Sequence, residues 1–407
     1  MKYDLVIIGG GPSGLMAALQ AAEKGSQVLL LEKNKRLGVK LLISGGGRCN
    51  LTNDIPDYRV LAKSYGPAAN FLIPILSRFG VSEIMDFFAS RGIRLKTEAD
   101  NKVFPESNSA TDILAVFVNG ITAAGGTIRT ECEVKDFIVQ NNLIEKIILH
   151  SGEEISAARF LIATGGKSYP ATGSSGDAYR WLKQLGHSVT PLYPGLAPIL
   201  VNNQSIKELE GLSLSDVRLK LVGVQKEIAA EQGPIIFTAS GLSGPAALNI
   251  SRFLDFNQYQ NFALRLDFQP EIALEDLDKL LITLFSKDNK FVKNSLEEII
   301  PARLAVFLLK ISDIDENIKA KTITRSDRKK ILENIKDFKL TIINFSGYDR
   351  AMITVGGLNL KEIDVKTMGS KIISNLYLAG EVLDIAGPTG GFNLQVAWST
   401  GFIAGNN

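Results

Sequence analysis

The chain has 407 residues, 45 basic and 43 acidic, for a formal net charge of +2, and 45% of its residues are hydrophobic against 22% charged. That balance excludes a disordered chain and offers no electrostatic footing for a nucleic-acid or anionic-membrane partner, while the length predicts two or three domains. The two cysteines, Cys49 and Cys132, stand in neither a CxxC nor a metal-ligand spacing, so no metal is expected and the location read from them is a reducing cytoplasm.

Tyr3 to Ile8 reads as a buried parallel strand that opens into Gly9-x-Gly11-x-x-Gly14, with Pro12 and Ser13 inside the motif. A turn after a parallel strand must bring backbone N–H groups against a pyrophosphate, and side chains at the tight positions would block that approach. The Ala- and Leu-rich helix that follows points its positive end at the phosphates and stops at Gly25. Gln27 to Leu31 reads as a second buried strand. It closes on Glu32, eighteen residues beyond Gly14, the register of an acid that hydrogen-bonds an adenosine ribose. Strand, glycines, helix and acid together predict an adenine-dinucleotide site.

Alternating strand-like and helix-like segments continue to about Gly186, as a doubly wound α/β sheet requires. Between Thr130 and His150 two alternating runs flank Asn141-Asn142, which predicts a hairpin. Arg159 to Ala163 is a further buried strand and ends in Thr164-Gly165-Gly166. After Gly186, a connector with Pro191, Pro194 and Pro198 leads to short β-like pieces, VRLKLVGV and FALRLDF. From Glu271 to Lys339 helix formers dominate, with 14 basic and 13 acidic residues, a balance that reads as solvated helices. From about Ile353 the opening style returns, with NLYLAGE as a buried strand before a glycine-rich turn and a helix. Leu5 to Ala22 and Ile385 to Asn407 are uncharged and long enough to mimic membrane spans, but their glycine clusters and internal proline or asparagine would break such a helix. Both are expected to be buried together around a cofactor, in one domain built from the two ends of the chain.

Four motifs stand in order: GGGPSG, LLISGGGRCNLTN (Leu41 to Asn53), LIATGG (Leu161 to Gly166) and LYLAGEVLDIAGPTGGFNLQVAWSTGFIAG (Leu376 to Gly405). Together, and essentially end to end, they resemble the three-domain bacterial flavoproteins labelled NAD(P)/FAD-dependent oxidoreductases, with YhiN-like, BaiN-like and aminoacetone oxidase-like members. The resemblance implies a Rossmann-type FAD-binding domain from residues 1–187 and 345–407, an inserted β-barrel-like domain over 188–270 with about 340–345, and a small helical domain over 271–339. It implies that Gly9, Gly11, Pro12, Ser13 and Gly14 meet the pyrophosphate and that Glu32 and Lys33 meet the adenosine end. Val134 joins the cofactor-binding set by the same likeness. Lys40, Ser44, Gly45, Gly46, Arg48, Cys49 and Asn50 would line the flavin or its ribityl chain. Ala163, Thr164, Gly165 and Gly166 would cross beside the dinucleotide, and Gly380 and Glu381 would bind ribityl or phosphate. The last helix, starting near Asn393-Leu394-Gln395, would aim its N-terminus at the flavin pyrimidine edge, where reduced flavin carries negative charge. TVGGLNL (Thr354 to Leu360) also fits the family pattern near this site. The chain departs from it at Val39, at Ile385-Ala386 and at Phe237-Thr238-Ala239, where many members carry a histidine.

No catalytic side chain is singled out, since flavin performs hydride transfer itself. His150 and His187 read as structural, and Cys49 as a packing or cofactor-contact residue without a second cysteine nearby. Arg48 has two open roles, stabilising an anion or pinning its loop by an ion pair. The expected activity is that of an FAD-dependent oxidoreductase on a small organic substrate bound between the flavin domain and the insert, either an aminoacetone-like amine oxidase using oxygen or an NAD(P)H-dependent reductase of a conjugated double bond. An RNA-modifying flavoprotein and a non-catalytic flavin sensor are the alternatives from other classes. The oligomeric state is left open.

Overall fold

The computed structural model describes residues 3–407 apart from 203, 225, 255–258 and 288. Strand β1 (Tyr3–Ile8), helix α1 (Pro12–Glu23) and strand β2 (Val28–Leu31) open the chain. Residues 5–8 and 28–31 are all buried. Successive strand side chains point to opposite faces, so these strands are covered on both sides and need apolar residues at every position. They lie within a seven-stranded sheet, in the spatial order Ile363–Asp364, Gly369–Ser370, Leu376–Leu378, Ala157–Ile162, β1, β2, Thr127–Arg129. The last five run parallel and the first two are antiparallel additions at the edge. Asn141 and Asn142 take φ of 51° and 58° in the turn of the hairpin Val134–Gln140 and Leu143–Leu149, the left-handed pair that a two-residue hairpin turn demands.

The chain divides into two compact units, residues 1–194 with 351–407, and residues 195–350. In the second unit six strands close an antiparallel barrel, in the order Ile199–Val201, Gly241–Ser243, Glu227–Thr238, Ser213–Val222, Ala263–Asp267, Phe338–Phe345. The helices Leu274–Lys287, Ala302–Ile311 and Arg325–Lys336 share one hydrophobic cluster with that barrel.

In the first unit the C-terminal helix Phe392–Gly405 lies against α1. A Cβ at Gly401 would overlap the Ser13 carbonyl oxygen, and one at Gly405 the Ala17 carbonyl oxygen. Two glycines four residues apart thus meet two helix positions four residues apart, and the backbones touch along one ridge. Lys24 donates to the Asn406 carbonyl at 2.8 Å and closes the far end of the contact. On another side of the C-terminal helix Trp398, fully buried, stacks on Phe117 with ring centroids 5.3 Å apart and donates to the Leu51 carbonyl at 3.1 Å. A helix enclosed on so many sides has no polar face to offer, which is why its sequence carries no charge.

Gly401→Val would force the two backbones apart. The expected loss is about 1–3 kcal/mol of unfolding free energy, read as a lower denaturation midpoint; an unchanged midpoint would contradict this close packing.

Candidate dinucleotide and flavin site

The segments expected to form the site follow the carboxyl ends of four neighbouring parallel strands: Gly9 to Gly14 after β1, Glu32 after β2, Ala163 to Gly166 after Ala157–Ile162, and Gly380-Glu381 after Leu376–Leu378. Open parallel sheets bind ligands at that edge.

The glycines of the first turn sort into two kinds. Gly9 has φ of +109°, and a Cβ there would lie 2.5 Å from the Ala163 carbonyl oxygen; a Cβ at Gly14 would overlap the Gly9 carbonyl. The protein itself requires both. Gly11 has an ordinary φ of −82°, and a Cβ there would meet no protein atom within 4 Å. Neither backbone conformation nor packing asks for glycine at that position, and the space in front of it is open. Pro12 begins α1, where a missing N–H costs nothing. Ser13 is buried, with Oγ 3.4 Å from the Ala379 carbonyl, which ties α1 to the Gly380 turn.

Glu32 is 8% exposed at the end of β2. Its Oε2 accepts the Gly10 N–H and its Oε1 the Asn34 N–H, both at 2.8 Å. Each oxygen keeps a second lone pair, enough for a ribose hydroxyl. The Cys132 amide donates to the Glu32 carbonyl at 2.9 Å and the Glu131 amide to that of Asn34 at 3.0 Å, drawing the segment that leads to buried Val134 alongside the Glu32 end. Lys33, next in the chain, is paired. Its ammonium lies 2.7 Å from the Asp177 carboxylate, an ion pair that anchors the helix Asp177–Gln184 beside the end of β2. Burial opposes the Asp177 charge, but hydrogen bonds from Lys33 and Ser175 outweigh it and hold that carboxyl below its usual range.

In the second motif Gly45, Gly46, Gly47 and Cys49 all take left-handed φ, from 56° to 86°. Ser44 Oγ donates to the Leu41 carbonyl at 2.7 Å and fixes the start of the turn. Gly45 is packed, its missing Cβ 2.8 Å from the Asn50 nitrogen, whereas a Cβ at Gly46 would meet nothing within 4 Å. Of its two roles, Arg48 takes the loop-pinning one: its guanidinium lies 3.0 Å from Glu98 and 3.9 Å above the Phe104 ring. Cys49 is fully buried, and burial pushes its thiol up to about 12 against a hydrogen bond with Ser44 that acts the other way. It is therefore a packing residue with no thiolate at neutral pH.

Lys40 and Glu381 meet, although 341 positions separate them. Lys40 Nζ lies 2.8 Å from Glu381 Oε2 and donates to Ser168 Oγ at 2.7 Å. Glu381 Oε1 accepts from Ser168 Oγ at 2.8 Å and from the Thr354 N–H at 2.9 Å, while Thr354 Oγ1 accepts the Lys167 N–H at 2.7 Å. A Cβ at Gly166 would press into both Thr354 and Glu381, so the glycine makes room for the network. Ser168 was not singled out by the sequence, and Thr354 only as part of a family segment, because their partner is distant in the chain.

The start of the C-terminal helix is tied into the first unit by side-chain hydrogen bonds. Gln395 is wholly enclosed: Oε1 accepts from Thr52 Oγ1 at 2.5 Å and Nε2 donates to Ser399 Oγ at 2.9 Å. Its side chain is an internal clamp between the LTN segment and the helix and does not face a ligand. Asn393 holds the preceding loop, accepting the Gly387 N–H at 2.9 Å and donating to the Gly387 and Pro388 carbonyls at 3.0 Å. Leu394 packs half-buried against the core. Asn53 donates to the Gly390 carbonyl at 3.1 Å, so the SGGGRCNLTN segment and the tail are joined directly.

His187 is structural. Ser370 Oγ accepts the Ile372 and Ile373 N–H groups at 3.0 and 2.8 Å, so its hydroxyl donates to His187 Nε2 at 2.9 Å, and Nδ1–H donates to Glu362 at 2.9 Å. A neutral ring satisfies every partner.

Two buried polar atoms at the site have no hydrogen-bond partner, Asn50 Oδ1 and Thr164 Oγ1. Buried polar atoms are normally paired, and with the open space before Gly11 and Gly46 these orphans fit a bound dinucleotide. The sheet, the fingerprint turn, the acid and the tail-derived wall define an FAD-dependent oxidoreductase of the Rossmann type. The chain belongs to the family described as HI0933-like protein Rossmann domain, which matches residues 3–407. It is 32% identical over 405 residues to the 3-dehydro-bile acid delta(4,6)-reductase of Clostridium scindens, covering 98% of this chain and 97% of that protein. It is 30% identical over 404 residues to the ribosomal RNA dihydrouridine synthase of Escherichia coli, covering 98% and 96%. In fold it resembles the 3-ketosteroid-delta4-(5alpha)-dehydrogenase of Rhodococcus jostii RHA1, with TM-score 0.53 and 14% identity over all of this chain and 97% of that one. The expected exclusion of nucleic acid finds no support among these relatives, one of which is named for ribosomal RNA. No helix among the described residues is long and apolar enough to cross a membrane.

Gly11→Val is expected to leave unfolding free energy within about 1 kcal/mol of wild type while eliminating bound flavin, measured by denaturation and by flavin content after desalting. A yellow variant would refute the placement. An aromatic disulfide reagent at about pH 8 should modify Cys132 in the native protein and Cys49 only after unfolding; rapid native labelling of Cys49 would contradict its burial.

Proposed function

We propose that this protein is a flavin-dependent reductase that delivers a hydride to a carbon–carbon double bond conjugated with a carbonyl, with NAD(P)H as the transient reductant. The observation that carries this reading is chemical. Two relatives matched along nearly their whole length, otherwise unlike in substrate, are named for the same kind of step: a 3-dehydro-delta(4,6) bile acid is a dienone, and dihydrouridine is uridine with its conjugated ring double bond saturated. The amine-oxidase alternative draws no such support from them.

The protein's own chemistry agrees. Cys49 is withheld as a buried thiol and His187 is locked between Glu362 and Ser370, so neither offers a nucleophile. FAD, when bound, supplies hydride transfer. In this reading residues 1–187 and 345–407 hold it, with 188–270 plus about 340–345 as the β-rich insert and 271–339 as the helical insert. Gly9 to Gly14 and the first turn of α1 meet the phosphates, Glu32 the adenosine ribose, and Asn50, Thr164 and the Lys40–Glu381 pair the flavin half.

The substrate class favoured is a small uncharged enone. Residues 195–350 carry 21 basic and 21 acidic side chains, a balance unsuited to a polyanion. The RNA relative keeps a second reading open, a uridine in ribosomal RNA as the enone-like substrate.

The test is anaerobic. NADPH or NADH should bleach the yellow protein, and a steroid 4,6-dien-3-one should restore the colour with one equivalent of reduced product. Restoration by a uridine-containing ribosomal RNA fragment alone would favour the RNA reading. Bleaching by a small primary amine, with no response to NAD(P)H, would overturn both.

A further inference from the structure

The segment between the Gly165-Gly166 turn and the helix Asp177–Gln184 carries no position assigned to the cofactor, yet its contacts run from one side of the site to the other. Ser168, near its start, is buried and bonded to Lys40 and Glu381. The chain then turns at Tyr169, whose φ of 51° is strained for a bulky residue that precedes a proline. The Thr172 N–H and hydroxyl both donate to the Tyr169 carbonyl, at 2.8 and 2.7 Å, and hold that turn. Ser174 Oγ donates to the Gly166 carbonyl at 3.2 Å, just past the carboxyl end of Ala157–Ile162. The Thr172 carbonyl accepts from Asn34 Nδ2 at 3.0 Å, just past the carboxyl end of β2. Gly173 packs directly on that asparagine, where a Cβ would collide with the amide. The strand order is Ala157–Ile162, β1, β2, so a segment tied on both flanks passes across the carboxyl end of β1, from which the Gly9–Gly14 turn springs. It leaves room there, since no protein atom lies within 4 Å of a Cβ on Gly11.

How the segment is held decides what it can do. From Pro170 to Gly176 only Ser174 is buried, and no apolar side chain of the stretch joins the core. Lifting it breaks polar contacts without exposing apolar surface, the mark of a segment that opens locally. Its two ends are fixed, Ser168 by the Lys40–Glu381 pair and the following helix by buried Ala178, Tyr179, Trp181 and Leu182. The charged tie lies at the helix end. Lys33 Nζ donates to Ser175 Oγ at 2.5 Å and to Asp177 Oδ2 at 2.7 Å, and Ser175 Oγ donates to the same carboxylate oxygen at 2.6 Å. This triangle fastens the segment to the residue next to Glu32. The Lys33 and Asp177 side chains are 25% and 35% exposed, so water and salt reach the tie.

We propose that residues 170–177 form a strap across the pyrophosphate site and that Lys33, Ser175 and Asp177 are its latch, so that FAD enters and leaves only when the latch is open. The assignment rests on the dinucleotide site and is independent of the substrate that the enzyme reduces. The latch is made of protein groups alone. Weakening it therefore lowers the barrier to entry and to exit together and leaves Kd, their ratio, unchanged. A residue that merely touched the cofactor would alter exit and affinity but not entry.

Flavin exchange kinetics test this without turnover. Asp177→Asn removes the charge of the latch, and Asn34→Ala frees the Thr172 carbonyl while keeping the Asn34 backbone N–H for Glu32, so the two variants break separate ties of the strap. Release is followed by the rise in FAD fluorescence after dilution of the holoprotein, and uptake by its quenching on the flavin-stripped full chain. In each variant both rates should rise about three- to fivefold, the size set by a partly exposed contact, with Kd unchanged. Raising the salt concentration should speed release from wild type and have less effect on Asp177→Asn, in which the ion pair is already gone. Faster release with unchanged uptake would make these residues cofactor contacts and overturn the gate. Unchanged rates in Asp177→Asn overturn the latch, and unchanged rates in both variants overturn the strap; if one variant has a lowered denaturation midpoint, the other decides. A wild-type chain that takes up no FAD overturns the dinucleotide site and the strap with it.

Discussion

The close contact between α1 and the C-terminal helix is the constraint on which the site depends. Helices with ordinary side chains at the crossing stand 8–10 Å apart, and the Gly401 and Gly405 positions remove the side chains that would enforce that distance. The Ser13 end of α1 is thereby drawn to the Gly380 turn, and the tail reaches the SGGGRCNLTN loop through Trp398, Asn53 and the buried Gln395–Thr52 bond. Segments at opposite ends of the chain then present backbone groups to one sheet edge.

How much of this the sequence disclosed follows from how local each signal is. The fingerprint turn, Glu32 and the Asn141-Asn142 hairpin were legible because their requirements act within a few residues: a positive φ, a tight approach, a strand end. Roles set by a distant partner were not. The ion-pair partners of Lys33 and Arg48, Asp177 and Glu98, lie far along the chain and could not be named from it. Gln395 was named only as part of the start of a helix whose N-terminus would face the flavin, and its clamp to Thr52 and Ser399 could not be read because Thr52 lies far away in the chain. Ser168 and Thr354 carried no local signal, and only the fold makes Glu381 their common acceptor.

The distribution of polar chemistry is consistent with a cofactor that does the electronic work. Among the described residues, Cys49 is buried and Lys40, Glu381 and His187 are paired, so the protein contributes orientation more than nucleophiles. A half-buried Lys40–Glu381 pair held by Ser168 and Thr354 is worth little as a source of stability, since solvent screening and desolvation offset most of its attraction, yet it ties together segments that lie far apart in the chain.

The placement of Leu376–Leu378 beside Ala157–Ile162 in the sheet also has a consequence for biosynthesis. During translation, Ala157–Ile162 can pair with β1 as soon as both have left the ribosome, but its other side stays an unpaired apolar edge while more than two hundred further residues are made. Such an edge invites pairing with other nascent chains. The barrel unit can fold during that interval, so the hazardous period ends only when the last strand and helix emerge, and the supply of chaperones, more than the stability of the finished fold, would then set the yield of this protein in a cell.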